Sequence, residues 1–160
     1  GTRCGDLDPG VLTYVARTEG LDGQQLDEFI SHQCGLLGVS ATSADIQDLI
    51  AHRAADPRAN EAVELFCYHA RKFIGSLFAA LGGLDTLVFS AGIGEHSPVV
   101  RAEICEHLAA LGLRLDPAKN AANQPVISNA ESTVTVRVIP TDEEQIVANL
   151  VQRLAVPPIH

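Results

Sequence analysis

The chain is poor in positive charge. Its 11 Lys and Arg stand against 20 Asp and Glu in 160 residues, a formal net charge of −9, and no basic cluster breaks the acidic background. Such a surface excludes nucleic acid and anionic membranes as partners, because both need basic patches to dock on. Ordinary cytoplasmic proteins have this balance. Cysteine-pairing motifs are missing too. Cys4, Cys34, Cys67 and Cys105 lie far apart with no Cys-x-x-Cys, and no secretory apolar segment opens the chain. They are expected to be free, buried structural thiols in a reducing compartment, since a zinc site needs closer ligand spacing. No apolar run reaches transmembrane length, and there is neither an internal repeat nor a low-complexity tract. No methionine stands at position 1, which implies a piece of something longer.

Both common nucleotide fingerprints are absent. Gly-x-Gly-x-x-Gly fails because Ser97 occupies its third glycine position, and no Gly-Lys-Ser/Thr follows a glycine loop. The stretch that carries the failed match is still the most informative one. Leu87, Val88 and Phe89 form an apolar run suited to a strand buried on both faces. Gly92-Ile93-Gly94 then reads as a tight turn, and Ser97-Pro98 as an N-cap and first helical residue. Strand, glycine turn and helix start in that order place free N–H groups at the carboxyl edge of a sheet, which is a phosphate or nucleotide site. The same residues also fit an ordinary turn in which glycine supplies positive φ. The two readings stand side by side at this point.

Length and an apolar content of 46% suffice for one domain with a real core. Asp8-Pro9 caps a helix to about Thr18, and Leu26, Phe29 and Ile30 mark a second within 21–33. The glycines of 34–40 break it into a loop, and a third helix starts at Ser43 with Ile46, Leu49 and Ile50 on one face. Asp56-Pro57 opens the longest helix, whose apolar stripe runs from Val63 to Leu81 until Gly82-Gly83 stops it, and which is expected to pack on the sheet. Val100, Ile104, Leu108 and Leu111 mark a helix ended by Gly112. Short strand candidates lie at 113–115 and 125–128, with a turn or two of helix at 116–122 between them. Val134, Val136, Val138 and Ile139 alternate into a stronger strand, and Ile146, Val147, Leu150 and Leu154 into a last helix. Strands alternate with helices, so the fold class is α/β.

Few polar residues stand out. Arg3, in a glycine-flanked loop, is either solvated or able to approach an anion closely. Asp45 complements a helix dipole or serves a ligand. His69, set among apolar positions, reads as structural. Thr141 and Glu144 have capping-box spacing, and Asp142 and Glu143 either complement the same dipole or hold Mg²⁺ at the end of a strand.

Four segments in order resemble the acetate kinase family: Gly-Thr-Arg-Cys-Gly-Asp-Leu-Asp-Pro (1–9), Gly-Leu-Leu-Gly-Val-Ser (35–40), Leu-Val-Phe-Ser-Ala-Gly-Ile-Gly-Glu (87–95) and Val-Ile-Pro-Thr-Asp-Glu-Glu (138–144). The resemblance spans essentially the whole chain but only the C-terminal part of the family's enzymes, whose complete chain is more than twice as long. It implies an actin-like, sugar-kinase (ribonuclease H-like) domain with a mixed sheet and flanking helices. In the family two such domains close around MgATP and acetate. It implies that Arg3 contacts the transferring phosphoryl group, that Asp45, Ile46, Gln47, Gly92, Ile93, Gly94, Glu95 and His96 contact ATP or ADP, and that Glu143 is linked to Mg²⁺. The family usually has arginine at Gln47 and commonly asparagine at His96. Its remaining catalytic residues belong to the N-terminal half. The implied activity of the complete enzyme is ATP + acetate ⇌ ADP + acetyl phosphate, in a homodimer formed largely through this half, with this portion inactive alone. A propionate or butyrate kinase is the near alternative, and a non-catalytic dimerisation module the distant one.

Overall fold

The computed structural model describes residues 1–142, 147–148 and 151–152. Where length alone implies one domain, the contacts gather into two compact units, one of residues 1–83 with 103–111 and the other of residues 84–102 with 112 onward.

The first unit is helical. Helix α1 (Pro9–Glu19) starts on Asp8, as the sequence places it, and α2 (Gly23–His32) falls within the expected 21–33, starting on an Asp22/Gln25 capping box not expected from the sequence. Residues 35–40 depart from expectation, forming a short helix, α3 (Gly35–Ser40), instead of a loop. Gly35 makes that possible. It takes φ +61, and a Cβ there would lie 2.7 Å from the Arg3 carbonyl oxygen and 2.9 Å from that of Gly1, so only glycine lets the N-terminal arm cross so closely. Helix α4 (Ile46–His52) is capped by Asp45, and α5 (Pro57–Leu81) by Asp56. The chief neighbours of α5 are α3 and α4, in place of the sheet expected from its stripe. The reason lies in how the stripe divides. Ala59, Ala62, Val63 and Cys67 are buried with Leu36, Ile46 and Leu49, whereas Phe73, Leu77 and Leu81 are 48, 59 and 70% exposed. Amphipathic spacing marks a face able to bury, not the length over which it does.

The second unit carries the sheet. Strand β1 (Thr86–Phe89) pairs in parallel with β2 (Thr135–Val138), from Thr86 beside Thr135 to Phe89 beside Val138. β2 also bridges antiparallel from Arg137 to Val126, and Ser128 bridges antiparallel to Leu115. The expected mixed sheet is thus present, with the two weaker strand candidates reduced to bridges. β2 alternates buried Val136 and Val138 with exposed Thr135 and Arg137, the pattern of a strand with one covered face. In β1 only Phe89 is buried and Val88 is 45% exposed, so the expectation of burial on both faces does not hold. Between the strands run α6 (Ala91–His96), α7 (Pro98–Cys105), a 3₁₀ turn (Ala109–Leu111) and α8 (Pro117–Ala121). α7 stops at Cys105, two turns short of the apolar pattern that ends at Leu111.

No disulfide joins the four cysteines, but only Cys67 and Cys105 are buried, Cys4 and Cys34 being half-buried. Burial, reinforced by the Glu103 carboxylate, pushes the Cys67 thiol up to about 12, which keeps it protonated and unreactive. No helix among the described residues is long and apolar enough to cross a membrane.

Leu49 is 1% exposed where α4 meets the core. Its replacement by Ala is expected to cost about 2–5 kcal/mol, read from the urea midpoint at unchanged slope.

Candidate functional site

In the first unit the N-terminal arm is pinned by backbone. Cys4 N–H donates to Ile30 O at 3.0 Å, Cys34 N–H to Thr2 O at 2.9 Å and Leu37 N–H to Gly1 O at 3.1 Å, and the Thr2 hydroxyl donates to Ser31 O at 2.9 Å. Arg3 therefore stands on a fixed backbone with its side chain exposed. Gly1 lies so close to Ala44 that a Cβ would strike the Ala44 carbonyl oxygen, which brings the arm alongside the turn leading into α4. That turn is organised by Ser40, 1% exposed, whose hydroxyl donates to Ser43 O at 3.0 Å and accepts from the Thr42 and Ser43 N–H groups at 3.2 Å. Ser40 was not legible as a site residue, because a serine closing an apolar segment carries no spacing signal.

Asp45 Oδ1 accepts from Gln47 N–H at 2.8 Å, the structural half of its two readings. Gln47 is exposed, whereas Ile46 is only 3% exposed and belongs to the core. That position therefore offers a ligand only its backbone.

In the second unit the glycine segment is a six-residue helix, α6, and not a tight turn. The left-handed residue is Ala91, at φ 58, while Gly92 and Gly94 keep helical backbone. Their roles separate accordingly. A Cβ on Gly94 would sit 3.3 Å from the Phe89 carbonyl carbon, so Gly94 permits close packing of α6 on the end of β1; at Gly92 the space is open. Ile93, Gly94 and Glu95 are half-buried and Gly92 and His96 exposed. Ser97, 2% exposed, caps α7 as expected by accepting from Val100 N–H at 3.4 Å. The helix start next after β1 is that of α6, where Ser90 makes no side-chain cap bond.

Arg101 was missed. It is fully buried, and its Nη1 donates to Gly94 O at 2.8 Å and Glu95 O at 2.9 Å. Nε donates to Asn120 Oδ1 at 2.8 Å, and Nη2 to Asn120 O at 2.8 Å and Asn123 Oδ1 at 2.5 Å. Asn120 in turn donates to Pro98 O at 2.8 Å. One planar guanidinium so ties the carboxyl end of α6 to α8. The available signal was an arginine directly after Val99-Val100 on an otherwise apolar helix face.

Glu95 Oε1 accepts from both Thr141 N–H, at 2.8 Å, and the Thr141 hydroxyl, at 2.9 Å. These bonds, the backbone one first, hold its carboxyl below the usual glutamate range. Asp142 follows, exposed. The candidate metal residue Glu143 and the capping partner Glu144 lie outside the described residues. His69, beside Tyr68 in an edge-to-face contact at 5.7 Å, joins no candidate residue. A surface concavity of about 510 Å³ lies along α2, lined by Gln24, Gln25 and Phe29 among others; it holds none of the candidate residues, and chemistry outweighs size in choosing between them.

The acetokinase family matches residues 1–149. An acetate kinase of Rhodopseudomonas palustris is 46% identical over 157 residues, covering 97% of this chain and 39% of its own length. A propionate kinase of Citrobacter rodentium is also 46% identical, over 156 residues, with the same two coverages. The crystal structure of Porphyromonas gingivalis acetate kinase superposes with a TM-score of 0.88 at 37% identity, over 97% of this chain and 40% of that one. The chain belongs to the acetokinase family, with the α/β fold of the actin-like, sugar-kinase type, and spans about 39% of the length of the curated relatives it matches.

Two outcomes test the geometry. Arg101→Met leaves the α6 carbonyls without their donor and is expected to destabilise the second unit by about 2–4 kcal/mol, measured by denaturant unfolding of that unit's amide resonances. Glu95 has a folded pKa below its unfolded one, so its contribution is complete above the ordinary glutamate range and is lost as pH falls through the folded value. The Thr141 amide shift is expected to titrate below that range, and Glu95→Gln to abolish the titration.

Proposed function

We propose that this chain is the C-terminal, nucleotide-binding domain of an acetate kinase. The complete enzyme would transfer the terminal phosphoryl group of ATP reversibly to acetate, giving acetyl phosphate and ADP. The observation that carries this reading is the family match over residues 1–149, with Arg3, Asp45 and Gly92–His96 all present within it. Phosphoryl transfer through a loose transition state depends on positioning and charge more than on covalent chemistry. Arg3, on its pinned arm, supplies fixed positive charge for the equatorial oxygens. Gly92, with open space before its Cα, lets a nucleotide approach the α6 backbone. Gln47, in place of arginine, gives that position a neutral contact.

Mg²⁺, a hard cation, would be held through carboxylate oxygen and water; among the described residues no group of three or more His, Cys, Asp and Glu gathers for a metal. Asp142 is an exposed carboxylate just past a parallel strand, and Glu143 follows it in sequence. Bound there with the nucleotide, the ion would offset the charge of the phosphates. The acidic balance and free thiols support a cytoplasmic location. The exposed Phe73, Leu77 and Leu81 of α5 support a homodimer formed through this half. Propionate kinase is the second reading, favoured by an identity to the Citrobacter rodentium enzyme equal to that of the acetate kinase. A panel of acetate, propionate and butyrate on the complete enzyme decides between them.

The 160-residue chain is expected to bind MgADP weakly by NMR titration and to form no acetyl phosphate in a coupled assay, because the opposing half positions acetate and excludes water. Gly94→Val, crowding Phe89, should abolish the nucleotide shifts while helicity is kept. Acetyl phosphate formed by this chain alone would overturn the requirement for the other half, and shifts that persist in Gly94→Val would move the site away from α6.

A further inference from the structure

Family resemblance makes Glu95 a nucleotide contact, yet its carboxylate is of the wrong charge to meet a polyphosphate. Its geometry gives it other work. One oxygen, Oε1, is taken by two donors of a single residue, the N–H and the hydroxyl of Thr141. The backbone carbonyl of Glu95 is held by Arg101 Nη1, so the residue is fixed at both its main chain and its side-chain tip. Thr141 lies three positions beyond Val138, the last paired residue of β2, and directly precedes Asp142. The chain leaving β2 is thereby fastened to the carboxyl end of the glycine-bearing helix.

We infer that Glu95 is a positioning residue rather than a nucleotide ligand: it braces the exit of β2 against α6, so that Asp142 and the glycines of α6 address the same ligand. This deepens the nucleotide-site reading and rests on it. The brace needs an acceptor oxygen at the Glu95 tip and not a negative charge, and that difference separates it from direct contact with a ligand or metal. It also couples Glu95 to the Thr141 hydroxyl: Glu95→Ala removes both bonds, while Thr141→Val removes the hydroxyl one and keeps the N–H.

The test uses the 160-residue chain as parent, Glu95→Ala, Glu95→Gln and Thr141→Val, each followed by amide hydrogen exchange without ligand and by MgADP titration in NMR. Glu95→Ala is expected to speed Thr141 exchange by about tenfold or more, with exchange in β2 unchanged, and to raise the MgADP Kd about three- to tenfold, the scale of one or two hydrogen bonds. Glu95→Gln, whose side-chain oxygen accepts the same two donors, should restore both to within about twofold of the parent. Thr141→Val, which loses only the hydroxyl donor, should raise Kd less than Glu95→Ala does, and should raise it no further in a double variant Glu95→Ala/Thr141→Val. If Glu95→Gln keeps Thr141 protected yet binds MgADP as weakly as Glu95→Ala, the charge acts on the ligand and the inference is overturned. Equal Thr141 exchange in the parent, Glu95→Ala and Glu95→Gln overturns it as well, whatever the nucleotide does. Absence of any MgADP shift in the parent would instead remove the nucleotide-site reading, and the exchange rates would still decide the brace.

Discussion

The second unit depends on one buried cation. A guanidinium withdrawn from water is tolerated only where its N–H groups find acceptors, and Arg101 finds them in Gly94, Glu95, Asn120 and Asn123. Helix carbonyls are suited to this task, because the last turn of a helix leaves them without intrahelical partners and the dipole there is negative. The same fork that satisfies the arginine therefore fixes the end of α6 in direction as well as in place. The packing of Gly94 on Phe89 sets its height on the sheet. A helix of six residues has little stability of its own, so these contacts, and not intrinsic propensity, give the glycine segment its shape.

The first unit reaches the same end by another route. Its candidate residues sit on short elements held by backbone hydrogen bonds and by one buried hydroxyl, that of Ser40. Gly35 is decisive because two carbonyl oxygens occupy the place of its missing side chain. Where the second unit spends a charge to hold its loop, the first relies on close approach of main chain to main chain.

Helix starts were legible at Asp8 and Asp56, each before proline, and these carboxylates accept from the Gly10 and Arg58 N–H groups. These signals are local, and a local rule reads them. Strand β2 was legible from its alternation and β1 from its apolar run, although burial of β1 on both faces was not. The glycine segment shows where such reading stops. Positive φ was assigned to glycine by default, but Ala91 carries it, since the surrounding packing and not the residue type dictated the backbone. Arg101 and the Glu95–Thr141 contact could not be read at all, because both join positions whose partners are set only by the tertiary fold. Of the family-derived candidates, Gly92 to His96 lie on α6, Arg3 on the N-terminal arm and Asp45 at the N-cap of α4, while the Ile46 side chain is buried.

The parallel pairing of β1 with β2 has a consequence for chain entropy. Phe89 and Val138 become neighbours only after the intervening chain, with α6, α7 and α8, has closed upon itself, and the Glu95 to Thr141 contact spans 46 positions. Loop-closure entropy must be overcome before such pairings gain anything, whereas the helical contacts of α3, α4 and α5 close over short distances along the chain. By that entropy the carboxyl edge of the sheet closes at a greater cost than do the packed turns of neighbouring helices. Joining the glycine helix to the chain leaving β2 therefore carries a loop-closure cost that the contact itself has to exceed.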